Sequence, residues 1–249
     1  MAESLFEEFE IHHLSDPLFS IGGHPVTFTN SALWMFISII VATMLMVVTM
    51  RRQAMVPGRW QMMTESFHNM IANLVRDMAG EHAKPFFPFI FTIFAFIFFS
   101  NLLGLIPHSL AVTSHIIVNF GIAIMLFIVI TITGFIRQGF HFFGIFVPPG
   151  VPKIMLPVIV PIEMISFAVR PFSLSIRLFA NMLAGHLVLL VFAGLTASLV
   201  AAKWLAGLSV LPLGMNIAIT GFEFFVAFIQ AYVYTILSAL YLRDALEGH

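Results

Sequence analysis

The sequence predicts an all-α, polytopic membrane protein with about five membrane-embedded helices plus one amphipathic surface helix. Its last two helices are expected to form a long, tilted, antiparallel hairpin. Three observations carry this. Of 249 residues, 60% are hydrophobic and only 9% charged, with a mean hydropathy of +1.02; an ordinary soluble domain is about 45–50% apolar and about 25% charged. The apolar residues come in continuous runs rather than in alternation, which favours helices over a barrel. Two of those runs are too long to cross a bilayer upright. A soluble chain of this size has too little interior to hide so much apolar surface, so a cytosolic enzyme, a disordered tail and a nucleic-acid binder are excluded. A net charge of −1 and a pI near 6.8 offer no polyanion-binding surface. Zero cysteines remove disulfides, thiolate metal sites and cysteine catalysis.

The elements follow in order, within one membrane domain over residues 1–249. Residues 1–31 form an acidic segment expected outside, since Glu3, Glu7, Glu8, Glu10 and Asp16 precede any basic residue. It has neither a basic n-region nor a small-residue cleavage pattern, so no removable signal peptide is expected. Residues 32–50 are long enough for a first span, and Arg51, Arg52 and Arg59 follow it. Positive-inside bias puts that end in the cytoplasm or the equivalent compartment. Over residues 60–80, Trp60, Met63, Phe67, Ile71, Leu74 and Met78 recur at spacings of three and four, with Gln61, Glu65, His68, Asn69, Asn73, Arg76 and Asp77 on the other side. This is an amphipathic helix, either lying along the inner interface or packed on protein at the inner surface. Residues 85–136 hold a helix pair: Pro85 to Ile106 returns outward, Pro107 to Ser114 is a loop without Lys or Arg, and His115 to Ile136 crosses back to Arg137. Gln138 to Lys153 is a loop ending in the breakers Pro148, Pro149, Gly150 and Pro152.

Residues 155–243 make the hairpin. Met155 to Lys203 would be a helix about 70 Å long and Leu213 to Arg243 one of about 45 Å, against a hydrocarbon core of about 30 Å. Such segments tilt, bend or break; Pro171 is the favoured bend, and Gly207, Pro212 and Gly214 offer the turn. The polar residues inside are Glu163, Arg170, Arg177, Asn181 and His186 on the first helix and Glu223 and Gln230 on the second. Each charge near mid-bilayer costs at least about 2.5 kcal/mol, which marks it as a functional candidate. In an antiparallel hairpin, facing residues have a constant index sum. Arg177 with Gln230 gives 407 and His186 with Glu223 gives 409, which centres the turn near Lys203 to Leu205 and sets Glu163 level with Asp244. Helical phase puts Ser173, Ala180, Asn181, Ala184 and Val188 on the Arg177 face, a mostly small surface that another helix can approach closely. Glu223, Gln230, Tyr234 and Tyr241 form one stripe on the second helix. His186 points away from Arg177, so a shared wet passage with Glu223 is expected rather than contact. Arg170 is expected in a bundle salt bridge, with Glu163 as its candidate partner. His115 and Asn119 either line an outer entrance or cap their helix, and Tyr241 is a candidate for the inner side.

The run RLFANMLAGH, from Arg177 to His186, resembles the fifth helix of subunit a of F-type ATP synthases. EFFVAFIQAYVY, from Glu223 to Tyr234, and the following Leu240-Tyr241-Leu242 resemble that family's last helix, and the resemblance extends over essentially the whole chain. It implies a stator subunit, not catalytic alone, packed against a rotating ring of c subunits and providing two offset aqueous half-channels. The implied partners are the c-subunit ring, the peripheral-stalk b subunits, the rest of the complex, the lipid bilayer and the transported proton, with no cofactor, metal or nucleic acid. Arg177 matches the family's ring-facing arginine, with Gln230 as its neighbour, and Glu163 matches an acid of the inner half-channel. His186 and Glu223 are exchanged relative to some bacterial members, as in mitochondria and related bacteria. Asn181, His115 and Tyr241 complete the expected pathway, and cysteines at Ala184 and Ala227 are expected to reach a ring helix. A bacterial inner membrane is implied, with the N-terminus outside and the C-terminus cytoplasmic. A self-contained secondary transporter is the alternative class, but the repeats and matching broken helices usual there are not visible. A pure scaffold leaves the aligned polar residues unexplained.

Overall fold

The computed structural model describes residues 19–21, 24–50, 58–106, 109, 111–147, 152–204 and 206–247. Glu3 to Asp16, the Arg51-Arg52 pair, Pro107 and the Pro148-Pro149-Gly150 cluster lie outside them. Five helices among the described residues are long and apolar enough to cross a membrane, and an amphipathic sixth follows the first of them. They are α1 (Asn30–Met50), α2 (Arg59–Ala79), α3 (Phe87–Gly104), α4 (Ile116–Gln138), α5 (Leu156–Ala201) and α6 (Val210–Glu247). A short antiparallel hairpin, β1 (Phe19–Ile21) and β2 (His24–Val26), precedes them, pairing Phe19 with Val26 and Ile21 with His24. Three-residue strands carry too little alternation to be read from sequence, although Gly22-Gly23 between them is a two-residue turn signal.

The helix boundaries follow from local chemistry. The Thr29 hydroxyl accepts the Ala32 N–H at 3.3 Å and caps α1. Gly80, at φ +70°, ends α2 and donates its N–H to the Arg76 carbonyl at 2.9 Å, a left-handed conformation that costs glycine nothing. A 3₁₀ turn over Glu81–Phe86 then leads into α3, with Glu81 paired to Arg76 at 2.8 Å and to Lys84. The expected loop after α4 contains 3₁₀ segments at Gly139–Phe146 and Lys153–Met155.

Of the two readings of α2, packing on protein describes its second half, where Ile71, Leu74, Val75 and Ala79 are buried. In its first half the apolar Trp60 and Met63 are 68% and 52% exposed, the side an interfacial helix turns to lipid, while Gln61, read on the polar side, is buried together with Thr64. The reason is hydrogen bonding. Thr64 meets the Thr49 hydroxyl at 3.0 Å and donates to the Trp60 carbonyl at 3.1 Å, and Gln61 donates to Glu65 at 2.7 Å. Satisfied polar groups can be buried at little cost, which frees the apolar side to face outward.

α5 runs for 46 residues, about 70 Å, through Pro161 and Pro171 without breaking. α6 runs for 38 residues, beginning three before and ending four after the expected limits. Pro212 falls in its first turn, where a missing N–H breaks no helical bond, so it starts the helix rather than interrupting it. The turn comes at Lys203, which takes φ +47°, where the index sums placed it.

The chain divides into two compact units. The first comprises Met1–Thr43, Phe96–His115 and Leu178–Gln230; the second comprises Met44–Ala95, Ile116–Arg177 and Ala231–His249. In the first, Phe98 packs edge-on against Phe228 at 6.0 Å. In the second, Phe167 of α5 meets Phe127 of α4 at 4.8 Å and Phe146 at 5.5 Å. The last stretch of α6 is anchored there, with the Gln138 amide donating to the Ala245 carbonyl at 3.0 Å.

Candidate functional site

α5 sorts its residues by face. Leu174, Ser175 and Leu178 are buried, whereas Ser173, Arg177, Ala180, Ala184 and Val188 are exposed and Asn181 is half-buried. The exposed set is the small-residue face expected around Arg177. The Arg177 guanidinium makes no hydrogen bond or ion pair among the described residues. A permanently charged, strongly hydrogen-bonding group thus stands on a surface of mostly small residues with its donors uncommitted.

Within the first unit, Asn181 and Glu223 are brought together. They line one groove of about 330 Å³ with Ala184, Gly185, Val188 and Phe222. Glu223 lies against the α5 backbone at Gly185, where an added Cβ would come within 2.9 Å of its carboxyl carbon. Both carboxylate oxygens are buried and lack hydrogen-bond partners among the described residues. The 185–223 pairing fits the antiparallel register predicted from 407 and 409. His186, the next residue, is half-buried and its Nε2 lies 3.8 Å from the Cβ position of Gly104 on α3. Glu223 and His186 therefore flank one position of α5, with Glu223 opening onto the groove.

Sequence reasoning missed a buried polar pair in this unit. Thr113 donates to the Asn101 side-chain oxygen at 2.8 Å, and both residues are fully buried. An Asn inside the apolar run of α3 was the available signal. His115 closes this segment half-buried, its Nε2 without a hydrogen-bond partner among the described residues. Burial holds its imidazole below the ordinary histidine range. Gln230, at the end of this unit's part of α6, is half-buried.

The second unit holds Glu163, Arg170, Arg177 and Tyr241. Glu163 is half-buried and makes no ion pair among the described residues. The expected Glu163–Arg170 bridge does not form. The two are seven residues apart on one helix, about 10 Å along its axis. Arg170 instead pairs with Asp244 of α6 at 3.0 Å, and its guanidinium lies over the Tyr241 ring at 4.6 Å and near Phe167 at 5.4 Å. Asp244 thus sits one heptad along α5 from the level the index sum gave it, because helix crossing and a long arginine arm shift contacts by a turn or two. Of the stripe on α6, Glu223, Gln230 and Tyr241 are half-buried and Tyr234 is buried; Ala227, in the first unit, is buried at 1% exposure. Ala227 therefore cannot present a surface to another helix, whereas Ala184 can.

Comparison with known proteins places the chain in a family. Residues 32–243 match the family model described as ATP synthase A chain. The chain is 52% identical over 233 residues to the ATP synthase subunit a of Parvibaculum lavamentivorans, covering 92% of this chain and 89% of that one. It is 49% identical over 230 residues to the subunit of the same name from Mesorhizobium japonicum, covering 92% and 91%. It is 46% identical to that of Chelativorans sp., over an alignment covering 100% of both chains.

Proposed function

Because the chain belongs to the ATP synthase A chain family, we propose that it is the proton-conducting stator subunit of an F-type ATP synthase, with Arg177 as the fixed charge facing a ring of c subunits. The membrane sector of that complex, with its peripheral-stalk b subunits, supplies its partners. The N-terminus lies outside and the C-terminus in the cytoplasm of a bacterial inner membrane, and α2 lies along the inner surface. The observation that carries the reading is the exposed, uncommitted guanidinium of Arg177 on a small-residue face of an unbroken helix.

The chemistry follows from what each group can do. A guanidinium stays protonated, so Arg177 cannot relay a proton. It favours the ionised form of a carboxylate that passes it, and so drives proton release from the ring. The same charge blocks a direct leak between two passages. Glu223, with Asn181 in its groove, His186 beside Gly104 and His115 at the start of α4, serves the outer passage. Glu163 and Tyr241 serve the inner one, and Gln230 neighbours Arg177. Carboxyl and imidazole groups can take up and give back protons; an amide can only hold water and orient them. Each proton crossing gains about 2.3 kcal/mol per 100 mV, and offset passages make rotation the only way to complete the crossing.

Arg177→Ala tests this in inverted membrane vesicles carrying the assembled complex. ATP hydrolysis by the soluble sector is expected to persist, while ATP-driven proton pumping and proton-driven synthesis are lost. Retained coupling in that variant sinks the assignment.

A further inference from the structure

We propose that Arg170 is a positioning residue for proton translocation: it is the dedicated counter-ion of Asp244, and by holding that carboxylate it keeps Arg177 free for a carboxylate on the ring. This rests on the reading of Arg177 given above.

Two arginines stand on α5 at heptad spacing, about 10 Å apart along the axis and about 20° apart in phase. Their surroundings differ completely. Arg170 is largely buried, its side chain 21% exposed, and is committed to Asp244 at 3.0 Å. Its planar guanidinium is held between Tyr241 at 4.6 Å and Phe167 at 5.4 Å. Arg177 is exposed and makes no ion pair among the described residues. Tyr241 and Asp244 are three residues apart on α6, so one face of that helix offers both an aromatic face and an anion.

Asp244 is the carboxylate that makes this division necessary. Its side chain is only 33% exposed, and a partly desolvated carboxylate seeks a cation. Tyr241 lies within electrostatic reach of Arg170, Arg177 and Asp244 together. Tyr241 is thus flanked by the anion and by both guanidiniums, and Asp244 is paired with the nearer one, Arg170. With Arg170 in place, the Asp244 charge is matched by a planar donor fork and an aromatic clamp. Without it, Arg177 is the other guanidinium on that side of α5, and an internal partner there would compete with each passing ring carboxylate. The two arginines thus divide the work: one neutralises, and the other remains available.

The test exploits an asymmetry that a plain structural clamp lacks. ATP-driven proton pumping is measured in vesicles bearing the assembled complex with Arg170→Gln, Asp244→Asn, the double variant or Arg177→Ala, each normalised to the amount of chain in the membrane. Arg170→Gln is expected to lower pumping by at least about tenfold, because it leaves the carboxylate unpaired. Asp244→Asn, which removes the competitor, is expected to stay within about twofold of the parent, and the double variant to recover to within about threefold. An Asp244→Asn variant as impaired as Arg170→Gln overturns the proposal, as does a double variant no better than Arg170→Gln. Should Arg170→Gln fail to accumulate, recovery of both chain and pumping in the double variant supports the counter-ion role, and absence of both chains marks a structural clamp. Full coupling in Arg177→Ala would instead remove the functional reading itself.

Discussion

The two ends of α6 are built on opposite plans. From Ala231 onward, Ala231, Tyr234, Thr235, Ser238, Ala239, Leu242 and Ala245 are all buried. Most are small, which lets neighbouring helices come close. The Thr235 and Ser238 hydroxyls donate to the Ala231 and Tyr234 carbonyls at 2.8 and 2.7 Å, so they make no demand on other helices. Between Val210 and Gln230 only Pro212 and Ala227 are buried, and Leu211, Ile217, Phe222 and Phe225 face outward. Here Thr220 likewise donates to its own helix, to the Asn216 carbonyl at 2.8 Å, but the side-chain oxygens of Asn216 and Glu223 lack hydrogen-bond partners among the described residues, as the Tyr234 hydroxyl does at the other end. The closed end is an anchor. The open end carries the Glu223 carboxyl and a broad outward-facing apolar surface.

The contrast can be broken most forcefully at Gly185. Gly185→Ala puts a methyl group where the Glu223 carboxyl rests, and the flexible end of that side chain must move. The amount of chain in the membrane is expected to stay normal while ATP-driven proton pumping falls about tenfold, as small misplacements of reacting groups commonly cost. Gly134, beside the anchor, should give the reverse pattern. A Cβ there would meet the Phe142 ring at 2.6 Å or closer and the Ala245 Cβ at 3.3 Å, and overpacking of this kind costs about 1–3 kcal/mol. Gly134→Ala should lower thermal stability in detergent, with pumping per assembled complex unchanged. Cysteines make a milder probe, since the chain has none of its own. Ala184→Cys is expected to crosslink to a cysteine on a ring helix and Ala227→Cys to give no product, because only the first is exposed. A product from the second would contradict the burial of that side of α6. Smallest is Ser238→Ala, which removes a hydroxyl bonded to its own helix and should shift stability by less than about 0.5 kcal/mol.

Much of this was legible in the sequence because a bilayer imposes simple rules. Few charges and long apolar runs place α1 through α4 to within a few residues, and the index sum finds the turn at Lys203 and the approach of Glu223 to α5. Geometry at the level of single side chains was not legible. The sum is accurate to a turn or two of helix, which is enough for Gly185 opposite Glu223 but not for choosing Asp244 over Glu163 as the partner of Arg170. Burial of Ala227 depends on which neighbour packs there, and a lone alanine carries no signal of that. The buried polar side at the start of α2 turns on the Thr49–Thr64 hydrogen bond between two helices, which no periodicity within either helix can reveal. Most of the separation between anchor and open surface escaped for the same reason, since both ends of α6 are equally apolar in composition.

Glu163, Arg170 and Arg177 follow one another at intervals of seven along a single unbroken helix. The separation along the axis from the acid to the uncommitted guanidinium, about 21 Å over fourteen residues, is therefore set by the rise of the helix, and no loop can adjust it. One inserted residue would swing everything beyond it by about 100°, and even a whole heptad would keep the face while displacing the charge by about 10 Å. Loops can absorb an added residue at small cost. This interval cannot, because every residue beyond it would turn or shift with it.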